Sequence, residues 1–302
     1  MYKGKQGTNV PLGPVQAISC EEGKKDGNRN DLFLRGSGIR KKEAFMKIKT
    51  ALVTGASSGI GAVFARELAQ EGYAVTCVAR SQDKLQALVK ELGSGHRMLV
   101  ADLADADQVQ RVVADVESTG YSLLVNNAGY GIYGRFEELP LDQQELLMAV
   151  NMNALVRLSH VFLKKAAPGD VLINVSSALS LLTYPGGAVY AATKAFVTNF
   201  TESLWYENKD RGVYVMALLP GVTNTNFHVV AAAGKTAAPA RTMRSYPPEV
   251  VVKKALAALK ARNVPSVISG PLYRFLTLLS TRLMSRKMMI TIMGKGSSGL
   301  RT

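Results

Sequence analysis

Short apolar runs alternate along the chain with segments in which apolar residues recur every three or four positions. The runs are rich in β-branched residues and end at turn-forming residues, which is typical of buried strands. The intervening segments have the helical period, as in 82–92 and 106–117. Strands that alternate with helices of this length predict one parallel, doubly wound α/β sheet.

The predicted strands are residues 51–53, 74–79, 97–101, 122–125, 171–175, 214–219 and 266–269. The carboxyl ends of parallel strands lie at one edge of a sheet, and ligands bind at that edge. The residues that directly follow each strand are therefore the first candidates for function.

A glycine-rich turn, TGASSGIG at 54–61, follows the first strand and leads into an amphipathic helix. A glycine turn between a strand and a helix lets the backbone approach a pyrophosphate at the helix N-terminus, so this turn predicts dinucleotide binding. No Gly-Lys-Ser/Thr sequence follows it, which excludes a nucleotide-hydrolysing P-loop. A plain tight turn is the alternative interpretation.

The second strand ends at Arg80-Ser81, without a carboxylate. In dinucleotide-binding units an acidic residue at this point binds the ribose hydroxyl of NAD. A guanidinium instead suits a 2′-phosphate through charge-assisted hydrogen bonds. We therefore expect NADP as the cofactor, with NADPH preferred over NADH and with Ser57 and Ser81 assisting Arg80. A surface arginine at a strand end is the alternative.

The helix after the fifth strand carries Tyr190 and Lys194 four residues apart, so both side chains face the same way. A free phenol has a pKa of about 10, and a nearby ammonium lowers that pKa because it favours the phenolate. The pair alone is weak evidence, since the same spacing is common on solvated helices. In the long helix predicted over 141–165, Asn151 and Asn153 need partners if they are buried.

The sequence has 302 residues, of which 47% are hydrophobic, and this is enough for one large α/β domain. Its formal charge of +14 is unevenly distributed. Residues 1–49 contain 11 Lys and Arg against 5 Asp and Glu, residues 50–249 contain 16 against 18, and residues 250–302 contain 10 against none. Because the central body is nearly neutral, the basic flanks do not indicate a nucleic-acid-binding protein.

Composition divides the chain into three segments. Residues 1–45 are polar and aperiodic, so we expect them to be disordered, and Met46 is a hypothetical natural start. Residues 46–270 are expected to form the α/β domain. Residues 271–302 mix basic and apolar residues near helical spacing. They form either an amphipathic helix on an anionic membrane or lipid surface, or a helix packed at the edge of the domain or dimer.

Two cysteines exclude a disulfide framework, and the N-terminus lacks the apolar region of a secretory signal. No apolar run approaches the roughly 18 residues that span a bilayer. These features predict a cytoplasmic protein, peripheral to a membrane if the tail binds lipid. The three histidines have no metal-ligand spacing, so no metal site is expected.

Several motifs in order resemble those of the short-chain dehydrogenase/reductase family, in its shorter single-domain branch. They are the TGxxxGxG turn at 54–61, Asn-Asn-Ala-Gly at 126–129, Asn151, Ser177, the Tyr-x-x-x-Lys pair and Pro220-Gly221. The resemblance covers roughly residues 49–225. It implies a single-domain Rossmann-like fold, a small-molecule carbonyl or alcohol substrate, and a homodimer or homotetramer.

The resemblance also implies roles for the site residues. Tyr190 would be the general acid in carbonyl reduction and the base in alcohol oxidation, and Ser177 would donate a hydrogen bond to the reacting oxygen. Lys194 would lower the pKa of the tyrosine and bind the nicotinamide ribose, and Asn151 would hold a water that links the lysine to solvent. The implied cofactor-binding residues are Thr54, Gly55, Ser57, Ser58, Gly59, Ile60, Gly61, Arg80, Ser81, Asp102, Leu103, Asn127, Ala128, Gly129, Tyr190, Lys194, Pro220, Gly221, Val222, Thr223 and Thr225.

The leading hypothesis is an NADP(H)-dependent oxidoreductase that interconverts a carbonyl and a secondary alcohol. The loop over 226–246 offers Phe227, Val229 and Val230 beside basic residues, which favours an apolar or amphipathic substrate. The alternative is a catalytically silent nucleotide-binding protein, or a membrane-surface protein, of the same fold. Such relatives usually lack the tyrosine or the lysine, and both are present here.

Overall fold

The computed structural model describes residues 49–225, 245–270, 274 and 283–297. The predictions for residues 1–45, for the loop over 226–244 and for most of the tail beyond residue 270 lie outside the described residues. The boundaries of the three predicted segments therefore stay predictions.

In the described part of the chain, seven parallel strands form one sheet in the order β3-β2-β1-β4-β5-β6-β7. They are β1 Thr50–Thr54, β2 Ala74–Ala79, β3 Arg97–Val100, β4 Leu123–Asn126, β5 Val171–Val175, β6 Tyr214–Pro220 and β7 Ser266–Ser269. The chain builds outwards from β1 to β3 and then, in the opposite direction, from β4 to β7. This reversal creates a crevice at the carboxyl ends of β1 and β4, where doubly wound sheets bind ligands.

The helices of the described residues are α1 Gly59–Gln70, α2 Gln82–Leu92, α3 Ala106–Thr119, α4 Leu141–Met148, α5 Leu155–Lys165, α6 Ala188–Glu207, α7 Pro248–Ala261 and α8 Arg286–Gly296. Between α4 and α5, Ala149–Ala154 form a π-helical turn, so 141–165 is one helix whose pitch changes in the middle. The Rossmann-like fold is confirmed, and the predicted elements from 50 to 270 agree with it to within about two residues at each end.

One feature differs from the prediction. The π-helical turn was not foreseen, because one wider turn leaves the apolar periodicity of a long helix nearly unchanged. In the tail, α8 begins at Arg286. The side-chain oxygen of Ser285 caps this helix, because it accepts a hydrogen bond from the backbone N–H of Met288.

Both faces of the sheet are buried. Along β5, Val171 and Ile173 pack into an apolar cluster with side chains of α1, α2 and α7, while Leu172 packs into a second cluster with side chains of α3 and α5. Side chains alternate between the two faces of a strand. A strand covered on both faces is therefore apolar at nearly every position, which explains the continuous apolar runs in the sequence.

The helix over 141–165 is long and apolar enough, by length and composition, to cross a membrane, with a mean hydropathy of 1.5. Polar residues interrupt its sequence, so it contains no unbroken apolar run of the length that spans a bilayer. Half of its apolar window is buried inside the protein. Its two halves pack against α3 and α6, which is the arrangement of a core helix in this domain.

A buried polar network fixes α5 and α6 on the sheet. The side-chain amide of Asn126, at the end of β4, donates to Ser159 Oγ at 3.1 Å and to Asn174 Oδ1 at 3.0 Å. Asn174 in β5 donates in turn to Thr201 Oγ1 on α6 at 3.0 Å. All four side chains are buried. A buried polar group without a partner costs about 1–3 kcal/mol, so this network favours one register of the two helices below the ligand-binding edge.

Candidate active site

The four side chains predicted to carry the chemistry lie together at the carboxyl ends of β4 and β5. Tyr190 and Lys194 are on α6, Ser177 directly follows β5, and Asn151 lies in the π-helical turn. Their exposed fractions are 5% for Tyr190, 4% for Lys194, 8% for Ser177 and 1% for Asn151. Three separate elements thus bring polar side chains into one nearly dry site.

The two serines after β5 have different partners. Ser177 has an extended backbone with φ −162°, its oxygen accepts a hydrogen bond from Leu179 N at 3.2 Å, and its side chain hydrogen-bonds to the Tyr190 phenol. The Ser176 hydroxyl instead donates to the Lys194 carbonyl oxygen at 2.8 Å. Ser177 therefore faces the tyrosine, as the family resemblance implies, and Ser176 holds α6 against the sheet.

The Lys194 ammonium is held between two backbone segments. Its Nζ donates to the carbonyl oxygen of Val175, the last residue of β5, at 3.0 Å. A Cβ at Gly129 would lie 3.2 Å from this Nζ and 3.0 Å from Asn151 Oδ1. Both polar side chains therefore approach the same point because residue 129 is a glycine. An ammonium has three donors, of which the Val175 carbonyl takes one.

Asn151 links the loop after β4 to α6. Its Oδ1 accepts from Tyr130 N at 3.1 Å, and its Nδ2 donates to Tyr130 O at 3.0 Å and to Thr193 Oγ1 at 3.1 Å. Asn153, two residues later, is exposed. The buried asparagine has the partners that burial requires, and the π-helical turn that presents it is a feature frequently found at functional sites.

Burial dominates the titration of the site. It raises the pKa of Tyr190 to about 12, against the lowering effect of the hydrogen bond with Ser177. It lowers the pKa of Lys194 to about 8, because desolvation disfavours the charged form. The spacing of the two residues predicts that the ammonium lowers the pKa of the phenol. In the structure burial raises that pKa instead, and the ammonium hydrogen-bonds to the Val175 carbonyl.

Tyr133, in the loop after β4, is a neighbour of the site that sequence reasoning missed. Its ring lies edge-on to that of Tyr190, with centroids 6.0 Å apart, and edge-on to that of Tyr184, with centroids 5.7 Å apart. The sequence shows only that this loop contains three aromatic residues, Tyr130, Tyr133 and Phe136, and does not distinguish among them. Phe136 is 57% exposed, so the three-dimensional contact alone distinguishes Tyr133.

The turn after β1 is shaped for close backbone approach, as a pyrophosphate site requires. Gly55 and Gly59 have φ values of +66° and +54°, a region that favours glycine. A Cβ at Gly61 would collide with the carbonyl oxygen of Gly55, and a Cβ at Gly59 would lie 3.0 Å from Thr225 Cγ2. Larger residues would therefore push the turn, α1 and the loop after β6 apart.

The N-terminus of α1 fits an anion. Ser58 makes no side-chain cap there, and the first turn contains no acidic residue, so its N–H groups and the helix dipole favour a negative ligand. The buried Thr54 hydroxyl accepts hydrogen bonds from the backbone N–H of Asn127 at 2.9 Å and of Ala128 at 3.0 Å. Thr54 and Asn127 thus join β1 to β4 and hold the turn in place, and their contacts with a cofactor stay predictions.

Arg80 and Ser81 are exposed at the end of β2, as binding of a 2′-phosphate requires. The Arg80 guanidinium is 69% exposed and lies 3.8 Å from Asp102 Oδ2. Asp102 follows β3, the strand next to β2, so the neighbouring strand supplies a carboxylate that the β2 sequence lacks. The other predicted residues of this region differ in burial: Ser57 is half-buried, Ile60 packs against the core, and Leu103 is buried.

The loop after β6 lies against the glycine turn. Thr223 Oγ1 donates to Gly221 O at 2.9 Å, and Tyr246 exchanges backbone hydrogen bonds with Val222 and Asn224. Thr225, the last described residue before the gap, contacts the start of α1 through the Gly59 position. The predicted segment from Pro220 to Thr225 therefore borders the same crevice as the glycines.

Comparison with known proteins agrees with the geometry. The family model for short chain dehydrogenases matches residues 49–235. The serine 3-dehydrogenase of Rhizobium radiobacter is 31% identical over 189 residues, which cover 61% of this chain and 76% of that protein. The very-long-chain 3-oxoacyl-CoA reductase of Bos taurus is 30% identical over 252 residues, which cover 78% of this chain and 75% of that protein.

Among solved structures, a short-chain dehydrogenase from Sphingobium yanoikuyae in complex with NADPH is similar to this chain with a TM-score of 0.66 and 29% identity. The match covers 78% of this chain and 93% of the other. Sequence, fold and relatives therefore lead to the same conclusion. The chain belongs to the short-chain dehydrogenase family, and it is a nicotinamide-dependent oxidoreductase that acts on alcohol and carbonyl groups.

Proposed function

We propose that this protein is an NADPH-dependent reductase that interconverts a carbonyl and a secondary alcohol on an apolar or amphipathic substrate. The observation that supports this most is the buried group of Asn151, Ser177, Tyr190 and Lys194 beside the glycine turn. A catalytically silent nucleotide-binding protein would not need a phenol and an ammonium kept out of water on one helix, since each lowers stability by its burial.

In the proposed reduction, Tyr190 transfers its proton to the carbonyl oxygen as negative charge develops there. Ser177 donates a hydrogen bond to the same oxygen and stabilises that charge. The serine already hydrogen-bonds to the phenol, so both groups can reach one substrate oxygen. A bound nicotinamide would supply the hydride, or accept it in the reverse reaction. Burial keeps the proton on Tyr190 until the substrate oxygen becomes basic.

Lys194 and Asn151 support the proton transfer. The ammonium, one helical turn from Tyr190, favours the phenolate that remains after the transfer, and its remaining donors can bind a ribose hydroxyl. Asn151 Oδ1 can accept two hydrogen bonds, and Tyr130 N supplies one of them. The second position can hold the water that returns a proton from solvent.

The preference for NADPH depends on Arg80 in this proposal, with Ser57 and Ser81 assisting. An exposed pair such as Arg80–Asp102 contributes only about 0–1 kcal/mol. A charge-assisted hydrogen bond to a phosphate contributes about 1.5–3 kcal/mol. A 2′-phosphate therefore competes successfully with Asp102 for the guanidinium, and the Sphingobium yanoikuyae relative is itself in complex with NADPH.

The walls near Tyr190 support an apolar substrate. In the described part of the chain, the ring of Tyr133 packs on that of Tyr190, and the ring of Tyr184 packs on that of Tyr133. The two relatives differ in this respect, since one is named for serine and the other for a very-long-chain 3-oxoacyl-CoA. These aromatic rings fit the carbonyl of an acyl chain, or another apolar ketone, better than a zwitterionic amino acid.

Tyr190→Phe removes the proton donor and retains the ring, so we expect turnover to fall by at least about 100-fold. NADPH affinity should stay within about threefold, because most cofactor contacts lie elsewhere. Turnover is measured as NADPH oxidation with a panel of aldehydes, ketones and 3-oxoacyl compounds, and NADPH affinity is measured by NADPH fluorescence. Tyr206→Phe on the same helix, where the side chain is 73% exposed, is the matched control. Undiminished turnover in Tyr190→Phe contradicts the mechanism.

Arg80→Ala should lower kcat/KM for NADPH by about 10- to 100-fold and change that for NADH little, because NADH lacks the 2′-phosphate. The ratio of the two kcat/KM values is the measurement. Arg66→Ala is the control, since Arg66 also forms an exposed pair, with Glu91 on α2, away from the predicted phosphate site. An unchanged ratio in Arg80→Ala would mean that the arginine is a surface residue only.

Lys194→Met should abolish turnover and stabilise the fold. The pKa of Lys194 is lowered from 10.5 to about 8, so between these values the unfolded chain binds more protons than the folded protein. The charge therefore destabilises the folded state fully below pH 8, and this effect disappears as the pH rises to 10.5. We expect a gain of roughly 1–2 kcal/mol at pH 7, after the lost hydrogen bond to Val175 is subtracted.

Urea unfolding between pH 7 and 10.5 measures the stability difference between Lys194→Met and the wild type. Lys164→Met, on the exposed side of α5, is the control and should show no such trend. A gain that persists undiminished at pH 10.5 would show that it comes from packing and not from the buried charge.

We also propose that the tail contacts an anionic membrane surface, as its composition suggests. Residues 271–302 contain six basic and no acidic side chains. Leu283, Met288 and Ile292 are 74%, 46% and 53% exposed, and the exposed Arg286 and Lys287 lie between them. Exposed apolar side chains among cations are the combination that binds an anionic lipid surface.

Vesicle flotation tests this contact with the full chain. The wild type should float with vesicles that contain phosphatidylserine and should float less at high salt or with phosphatidylcholine alone. Met288→Glu combined with Ile292→Glu should reduce flotation several-fold. Leu146→Glu changes an exposed leucine on α4 and is the control. Equal flotation of all three proteins would leave the tail as a packing helix at the edge of the domain.

The predicted homodimer or homotetramer and the predicted cytoplasmic location stay predictions. The exposed Phe196 stacks on Phe200 on the outer face of α6, with ring centroids 5.6 Å apart. This aromatic pair is compatible with a second copy of the chain but does not require one.

A further inference from the structure

Three tyrosine rings pack in a row beside the site. The ring of Tyr133 is the middle one, edge-on to Tyr184 at 5.7 Å and 71° and edge-on to Tyr190 at 6.0 Å and 85°. Edge-to-face pairs of this kind are favourable beyond the area that they bury, because the positive edge of one ring meets the negative face of the other. The row therefore holds the Tyr190 ring from the side of the loop that follows β4.

Backbone contacts also hold this row of rings in place. Gly134 N donates to Gly186 O at 2.9 Å and so joins the loop after β4 to the loop before α6. A Cβ at Gly187, the N-cap residue just before α6, would lie 2.7 Å from Tyr184 Cδ1 and 3.0 Å from Tyr133 Cδ1. Both rings thus press directly on the start of the helix that carries Tyr190, and only a glycine leaves them room.

The two ends of the Tyr190 side chain are held by different groups. Ser177 hydrogen-bonds to its hydroxyl, and Tyr133 packs on its ring. The side chain is 5% exposed. A hydrogen bond fixes the distance to one oxygen but still allows the ring to tilt about it. The ring contact removes this remaining freedom.

We propose that Tyr133 is a positioning residue for Tyr190, which it holds in one orientation and shields from water through the contact between the two rings. This inference rests on the proposed role of Tyr190 as the general acid. It assigns no proton transfer to the Tyr133 hydroxyl, and it requires only the aromatic ring.

The shielding has an electrostatic consequence. Ser177 and Tyr133 face the Tyr190 side chain, and Tyr133 also faces Tyr184. The charged group on the same helix is Lys194, one turn further along α6, whose Nζ donates to the Val175 carbonyl oxygen. Burial raises the pKa of Tyr133 far above its ordinary value, so it stays neutral and supplies no charge. Its contribution is the exclusion of water, and burial is the largest cause of the raised pKa of Tyr190.

The test follows the titration of Tyr190 itself. In protein with ¹³C-labelled tyrosine, the Tyr190 signal is identified by its loss in Tyr190→Phe, and its pKa is read by NMR from pH 8 upwards. In Tyr133→Ala water reaches the phenol, so this pKa should fall from about 12 towards the ordinary 10. In Tyr133→Phe the ring remains, so the pKa of Tyr190 should stay near the wild-type value.

Tyr73→Ala is the matched control, because it removes a half-buried tyrosine just before β2, at the opposite edge of the sheet. It should leave the pKa of Tyr190 unchanged even if the protein becomes less stable. An unchanged pKa in Tyr133→Ala overturns the proposal. This measurement needs no turnover, so it remains informative if the proposed reductase activity is not found.

Kinetics supply the second measurement. In Tyr133→Ala, kcat for carbonyl reduction should fall about tenfold or more, and the loss of activity at alkaline pH should begin at a lower pH, because the acid loses its proton earlier. In Tyr133→Phe the pH profile should be restored. A rise of KM alone, with kcat and the pH profile unchanged, would mean that Tyr133 only contacts substrate, and this outcome also overturns the proposal.

Discussion

The burial of a single ammonium, that of Lys194, is the constraint on which the site depends. A charge removed from water costs several kcal/mol unless other groups replace its hydration. No ion pair of the described residues includes Lys194. The last carbonyl of β5 accepts a hydrogen bond from its Nζ, and the missing side chain of Gly129 leaves room for it. The burial of this one charge therefore constrains both the end of β5 and the turn after β4.

The polar residues next to the proposed catalytic residues stabilise the fold. Thr54 joins β1 to the turn after β4, Ser176 holds α6 by its backbone, and Asn126 connects two helices through the network below the site. These side chains bond to other segments of the fold. Ser177, which directly follows Ser176, hydrogen-bonds instead to the Tyr190 phenol. Two consecutive serines therefore have different roles: Ser176 supports α6, and Ser177 contacts the tyrosine.

The fold and the group of four site residues could be predicted from the sequence, and physics explains why. Strands that are covered on both faces give continuous apolar runs, and the polar residues at the ends of those runs indicate where the site lies. Contacts between distant segments could not be predicted in this way. Arg80 meets Asp102 because β2 and β3 are neighbours in the sheet, and Tyr133 meets Tyr190 through a ring geometry that no spacing records. The raised pKa of Tyr190 could not be predicted either, because it results from burial and not from the spacing to Lys194 in the sequence.

The π-helical turn at Ala149–Ala154 has a geometrical meaning for the helix that contains it. One wide turn inserts about one extra residue, which rotates everything after it by about 100° relative to an unbroken α-helix. The helix thus has two phases. After the turn, Leu158 and Phe162 face the sheet, while within it Asn151 faces the loop after β4 and α6. In a regular α-helix, Asn151 and Leu158, which are seven residues apart, would face nearly the same way. The π-helical turn lets one helix present them in two different directions.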